Sequence, residues 1–181
     1  LLILLVSWLF VRANPAFADG FFRKAMLISA ALYSLGHGSN DAQKTAGIIA
    51  VLLLSHGVYS EFTVPVWVIL ACYTVMGLGT LMGGWRIVHT MGSKITRLTP
   101  MQGSCATMAG AITLFMATYL GIPVSTTHTI TSAIVGVGAA RRLSAVRWNV
   151  ATGIVYAWIF TMPAAALLAA LFFWLGKAVG I

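Results

Sequence analysis

Between Pro65 and Gly84 the chain runs for twenty residues without a charged side chain, and from Trp148 to Gly176 for twenty-nine. No other feature constrains the fold as much. A helix of about 20 apolar residues crosses the ~30 Å hydrocarbon core of a bilayer. In lipid a helix also satisfies its own backbone hydrogen bonds. A transmembrane β-barrel would need alternating apolar and polar residues, and the sequence shows no such alternation. The 181 residues are 60% hydrophobic and 8% charged, against about 25% charged in soluble domains. The expected fold is therefore all-α and polytopic transmembrane.

The net charge is +8, from 11 Lys and Arg against 3 Asp and Glu. A basic balance can signal nucleic acid, but most of these residues lie in short segments between apolar runs. They read as topology, and nucleic acid is excluded as a partner. The sequence predicts a helix end over 1–11, a loop over 12–24 and an apolar segment over 25–55. A short loop over 56–64 precedes a span over 65–84 and a polar connector over 85–100. Apolar arms at 101–120 and 124–140 are joined by Gly121-Ile122-Pro123. A last helix over 148–176 should kink near Pro163. Segments 12–24, 85–100 and 141–147 each hold three Lys or Arg, whereas 56–64 holds none. The positive-inside rule then puts the basic segments, including the connector at 85–100, in the cytoplasm. It puts loop 56–64 and the C-terminus outside. The Gly121 turn points outward, either across the membrane or as the tip of a hairpin within it. Trp67, Trp85, Trp148 and Trp174 fall near span ends, as interfacial anchors do.

The first twenty residues, LLILLVSWLFVRANPAFADG, have an apolar core and an Ala-Phe-Ala site ending at Ala18. They lack the basic leader of a signal peptide, so they are read as the tail of a truncated helix. Cys72 and Cys105 lie in apolar runs with no CxxC spacing and are read as small buried residues rather than redox or metal groups.

Two polar islands interrupt the apolar background. The first is SLGHGSNDAQKTAG, Ser34 to Gly47. Ionisable residues inside a bilayer are costly and are functional candidates by default. Asp41 and Lys44 are three apart, and Asn40 and Lys44 four apart, so each pair shares a helix face. Gly36 and Gly38 permit a break in the helix, which would expose backbone groups able to hold ions. The bland alternative is an Asp–Lys pair that only stabilises packing. It leaves His37, Ser39, Asn40, Gln43 and Thr45 unexplained.

The second island is GIPVSTTHTITSAIVGVGAA, Gly121 to Ala140. Gly121 and Pro123 mark a turn, which puts Ser125, Thr126 and Thr127 at the first turn of the next helix. Free N–H groups, the positive end of the helix dipole and hydroxyl donors meet there, which suits an anion. Ser125, His128, Thr129 and Ser132 share one face. His128 is assigned hydrogen bonding to an oxyanion, proton carriage or orientation of a hydroxyl. Capping and helix packing by small residues are the alternative.

In HGSNDAQKTAG, GIPVSTTHTITSAIVGVGAARR and the connector GGWRIVHTMGSKITRLTP, the chain resembles the inorganic phosphate transporter (Pit-type) family of cation–phosphate symporters. The likeness covers nearly the whole chain. That family is built from two inverted halves, each carrying one copy of both motifs. A single copy here resembles the C-terminal half of a bacterial member, with residues 1–181 as one transmembrane domain. The resemblance implies a phosphate site at Asn40, Ser125, Thr126 and Thr127, and cation coupling at Asn40 and Asp41. Lys44, His128, Ser39 and Gln43 are supporting residues. The chain departs from the family at Ala46, where Met is expected. It also has no acid in QGSCATMAGA after Gln102, where related bacterial sequences often carry Glu.

The resulting expectation is symport of inorganic phosphate with H⁺ or Na⁺ across the bacterial inner membrane by alternating access. Asp41 alone would repel an anion, so its presence fits a site that accepts phosphate only after a cation neutralises the carboxylate. A divalent metal bound to the phosphate would serve the same purpose. Lys44 either pairs with Asp41 or touches phosphate. No resident cofactor, protein-bound metal or enzymatic activity is expected. The partners are phosphate, lipid, the N-terminal half and a possible homo-oligomer. The alternatives are an intramembrane serine hydrolase using Ser125, His128 and Asp41, a passive anion channel, and an inactive half-length fragment.

Overall fold

The computed structural model describes residues 1–179, apart from the side chains of Arg86 and Ile87, so the sequence-based assignment of Arg86 lies outside the described residues. The described residues hold α-helices and no strands. They are α1 (Leu2–Leu9), α2 (Pro15–Ser55), α3 (Val66–His89), α4 (Pro100–Tyr119), α5 (Thr126–Arg141) and α6 (Trp148–Val179). Two compact units result. The first runs from Leu1 to Val146 and the second, beginning at Arg147, is the helix α6. Two helical stretches, Val66–Lys94 and Trp148–Val179, are long and apolar enough to span a bilayer.

The helix ends follow from local chemistry. Asn14 caps α2, its side chain accepting the Ala16 N–H at 3.0 Å, and Pro15 supplies the preset first φ. The loop expected over 12–24 is therefore confined to its first three residues, and from Pro15 on it is already helix, with an Asp19–Arg23 ion pair at 2.8 Å. At the far end of α2, Gly57 takes φ +71°. The Val58 and Gly57 N–H groups return to the Leu53 and Leu54 carbonyls, a Schellman closure. Gly121, at φ +68°, closes α4 in the same way, with Ile122 N–H on Ala117 and Gly121 N–H on Thr118. Thr99 and Gln102 form a reciprocal capping box at the start of α4.

The break expected at Gly36 and Gly38 is not found, because α2 is one helix from Pro15 to Ser55. Gly36 serves packing instead. A Cβ there would lie 3.3 Å from Leu114 Cβ of α4. The polar connector over 85–100 is also revised. α3 continues to His89 and a π-helical turn covers Thr90–Lys94. Ile95 and Thr96 are then buried, with the Thr96 hydroxyl donating to the Ala145 carbonyl at 3.0 Å. An apolar Ile followed by a β-branched hydroxyl residue lets this segment lie under the end of α5 rather than in solvent.

α4 is the centre of the first unit and packs on α1, α2 and α5. Its buried residues are nearly all small: Gly103, Ser104, Cys105, Ala106, Gly110, Ala111 and Ala117 join Leu114. Small residues let membrane helices approach closely. The stretch after Gln102 that lacks an acid is the most continuously buried part of this helix. Cys105 is buried as expected, while Cys72 is half-buried. Ser29 and Thr107 share a hydrogen bond of 2.6 Å across α2 and α4.

Residue numbers rise together along this contact, from Ser29–Thr107 to Asn40–Thr118, so α2 and α4 run parallel. α5 returns, with Tyr33 bonded to Thr126 and Ile130 beside Gly110. Consequently the starts of α2 and α4, the end of α5 and the segment before Thr99 lie at one end. Arg12, Arg23, Lys24, Lys94, Arg97, Arg141 and Arg142 belong to that end.

α6 carries Pro163 in its interior, where the ring cannot donate to the Ile159 carbonyl. Nearly all of its side chains are exposed. Trp148 and Trp174 on this helix, like Trp67 and Trp85 on α3, are exposed.

Candidate functional site

The two polar islands meet. α2 carries Tyr33, His37 and Asp41 at spacing four, hence on one face, and that face meets the first turn of α5. The Thr126 hydroxyl donates to Asp41 Oδ2 at 3.0 Å. Lys44 Nζ donates to Asp41 Oδ1 at 3.1 Å and also to the Val124 carbonyl. Asp41 and Lys44 side chains are each about one third exposed, at 32% and 33%. One ion pair thus ties a helix to the tip of the α4–α5 hairpin.

Two further residues extend the junction. His37 Nδ1 lies 3.5 Å from Asp41 Oδ2, outside hydrogen-bonding geometry. Its ring stacks on Tyr33 with an interplanar angle of 11°. The Tyr33 hydroxyl donates to the Thr126 carbonyl at 3.0 Å. Gly110 makes room for the Tyr33 ring, since a Cβ there would sit 2.9 Å from it.

Asn40 faces another way. One residue on from Asn40 turns a helix by about 100°, so Asn40 points at α4 while Asp41 points at α5. Asn40 is 4% exposed. Its Nδ2 donates to Thr118 Oγ1 at 3.3 Å, and its Oδ1 is buried with no hydrogen-bond partner among the described residues. Asn40, Lys44, Thr118 and the hairpin turn line a cavity of about 280 Å³. Asp41 and Thr45 line another, of about 530 Å³, against Cys72, Val75 and Met76 of α3. The Asp41–Lys44 pair stands between two cavities of different polarity.

A profile of the phosphate transporter family matches residues 10–169. The chain belongs to the phosphate transporter family. A probable low-affinity inorganic phosphate transporter of Rhizobium meliloti (strain 1021) is 69% identical over 172 residues, covering 94% of this chain and 52% of the relative. One of Bacillus subtilis (strain 168) is 42% identical over 168 residues, covering 92% and 50%. A solved structure described as the sodium-dependent phosphate transporter superposes with TM-score 0.80 at 31% identity, over 93% of this chain and 43% of that one. The chain spans about half the length of the curated relatives it matches. This is an all-α membrane protein with a transporter-family fold, and the region matched by the family contains the whole α2–hairpin junction.

Within that region, Asp41, Lys44 and Thr126 come together, while Asn40 is turned to Thr118 of α4. Ser125, Thr127, His128 and Gln43 are exposed, and Ser39 is half-buried. The Ser125 side chain accepts the His128 backbone N–H at 3.3 Å and caps α5. Tyr33, Thr118 and the Val124 carbonyl were not singled out from sequence. Tyr33 was findable, since it precedes His37 and Asp41 on one helix face. Thr118 and Val124 enter only because the hairpin docks beside α2.

Proposed function

We propose that this chain is one half of a cation-coupled inorganic phosphate symporter of the bacterial inner membrane, working by alternating access, and that it is not an enzyme. The observation that carries this reading is the Asp41 carboxylate bonded at once to Lys44 on its own helix and to Thr126 at the start of α5. An anion approaching the hairpin tip meets hydroxyls and the free N–H groups of a helix start, but also a carboxylate that repels it. A cation, or a divalent metal carried with the phosphate, neutralises Asp41. Lys44 and the Ser125–Thr127 turn are then free to hold phosphate. Binding energy for one ion thus depends on the other, which is the requirement for coupling. H⁺ and Na⁺ both satisfy the charge requirement, and the name of the sodium-dependent relative favours Na⁺. No resident cofactor is required.

The membrane depth of the site supports the reading. Beyond Lys44, α2 continues for eleven residues to Ser55, about 16 Å at 1.5 Å per residue. That is about half of a ~30 Å hydrocarbon core, so the Gly121 turn is read as the tip of a hairpin within the membrane. The basic end faces the cytoplasm, loop 56–64 and the C-terminus face out, and the chain crosses the bilayer several times. The second half of the site comes from the N-terminal half of the transporter, so residues 1–181 alone should not transport.

The test is radiolabelled phosphate uptake in cells lacking other phosphate transporters. It compares this chain alone, the chain co-expressed with a family N-terminal half, and the same pair carrying Asp41→Asn. Uptake by the pair only, lost on substitution, is the expected result. Cation-dependent uptake that survives Asp41→Asn would sink the mechanism.

A further inference from the structure

The basic end holds a second, separate constellation. α1, the start of α4 and the end of α5 line an open cavity of about 280 Å³. Its walls are apolar, formed by Ile3 and Leu4 of α1, Met101 of α4, and Val137 and Ala140 of α5. Arg141, Ser7, Thr99 and Gln102 complete its lining. Arg141 is exposed, and no ion pair to it is recorded among the described residues.

Charge accounting explains why that matters. The chain has three acidic side chains, Asp19, Asp41 and Glu61. Asp19 is bonded to Arg23. Asp41 is bonded to Lys44 and Thr126 at the hairpin tip. Glu61 lies in the loop between α2 and α3, at the opposite end. Among the described residues none of these three side chains pairs with Arg141, Arg142, Arg97 or Lys94, which share the basic end. Two hydroxyls line the same cavity as Arg141, neither donating to a strong acceptor. Ser7 has only a 4.0 Å contact to the Met101 sulfur, and Thr99 uses its oxygen to accept from Gln102.

We propose that this cavity is a binding site for an anionic phospholipid, its phosphate held by Arg141 with Ser7 and Thr99, and its acyl chain lying between α1 and the end of α5. Two features of the cavity select this ligand. Its apolar wall suits an acyl chain and offers a free phosphate ion nothing. The Arg141 guanidinium in its lining distinguishes an anionic headgroup from a zwitterionic one, because juxtamembrane Lys and Arg attract anionic lipid. The site needs only a membrane environment and is independent of the transport mechanism.

The test is native mass spectrometry of the purified full chain in neutral detergent. Phosphatidylglycerol or phosphatidylcholine with matching acyl chains is added, and helix content is checked by circular dichroism. The chain should retain phosphatidylglycerol about fivefold better than phosphatidylcholine. Arg141→Gln should lower that retention about fivefold. Ala140→Trp, at an exposed position on the cavity wall, should lower it with the charge intact. Arg23→Gln removes a charge at the same end that Asp19 already neutralises, and should change retention by less than about twofold. Equal retention of the two lipids would overturn the proposal. So would an Arg23→Gln effect as large as that of Arg141→Gln, or displacement of phosphatidylglycerol by millimolar inorganic phosphate. None of these readouts depends on phosphate transport.

Discussion

The hairpin-tip level and the basic end of the first unit treat charge in opposite ways. Around Asp41 each charged group has a partner of opposite sign or a hydroxyl, and the partners come from different helices. At the basic end seven Lys and Arg share one acid, Asp19. Inside low-dielectric surroundings an unpartnered charge is expensive. At a membrane surface, water and lipid headgroups screen it or attract it. The two levels therefore differ in how fully their charges are paired among the described residues, and substitutions at them should have unequal consequences.

Asp41→Asn should have the largest effect. Phosphate uptake by the paired halves should fall to background. Loss of the carboxylate also leaves Lys44 without its counter-charge. For a pair one third exposed, the cost lies between exposed and buried pairs, about 1–2 kcal/mol. Thermal unfolding in detergent measures it, and an unchanged melting temperature would mean that the pair is already solvated.

Gly110→Ala comes next and tests whether the seam holding the tip is as tight as its charges require. The new Cβ would meet the Tyr33 ring at 2.9 Å, and overpacking of this kind costs about 1–3 kcal/mol. Gly103→Ala is the internal control. Its Cβ would meet only the flexible Met26 thioether at 2.8 Å, so it should destabilise less in the same assay. Equal losses would show that the Tyr33 ring can swing aside.

Tyr33→Phe keeps the ring and removes the donor to the Thr126 carbonyl. The expected cost is about 0.5–1.5 kcal/mol, accompanied by a raised KM for phosphate if the first turn of α5 loosens. A stability loss without a KM change would separate the packing of this turn from its role in binding.

Arg97→Gln should have the smallest effect, within about 0.5 kcal/mol of the parent. A larger loss would mean that the basic end is compensated within the protein after all, erasing the contrast.

Long apolar helices show a second contrast. α4 and α6 both read as apolar in the sequence. α4 is lined with Gly, Ala and Ser and is buried on most turns. α6 presents Leu, Phe and Trp and buries only Ala151 among its described residues. Hydropathy marks α6 as long and apolar enough to span a bilayer, whereas the small residues of α4 let α2 and α5 approach it closely.

Much of the candidate site was legible in the sequence for the same reason. In a chain with so few charges, Asn40, Asp41 and Lys44 stand out, and Pro123 followed by Ser125 and Thr126 marks a helix start. The glycines misled. Gly36 read as a break because its φ freedom is visible in sequence, whereas the side chain packed against it is not.

The sequence by itself determined that the chain is a helical membrane protein, where its charges fall and which turns close its helices. Each of these depends on local hydropathy, capping chemistry or residue count. Only the tertiary structure decided that the hairpin tip stops beside Lys44, that Thr126 rather than Ser125 meets Asp41, and that Asn40 and Asp41 face different cavities. Those outcomes depend on how far α4 slides along α2 before small residues and Tyr33 lock it. That register is fixed by contacts between residues some eighty positions apart, which no local pattern records.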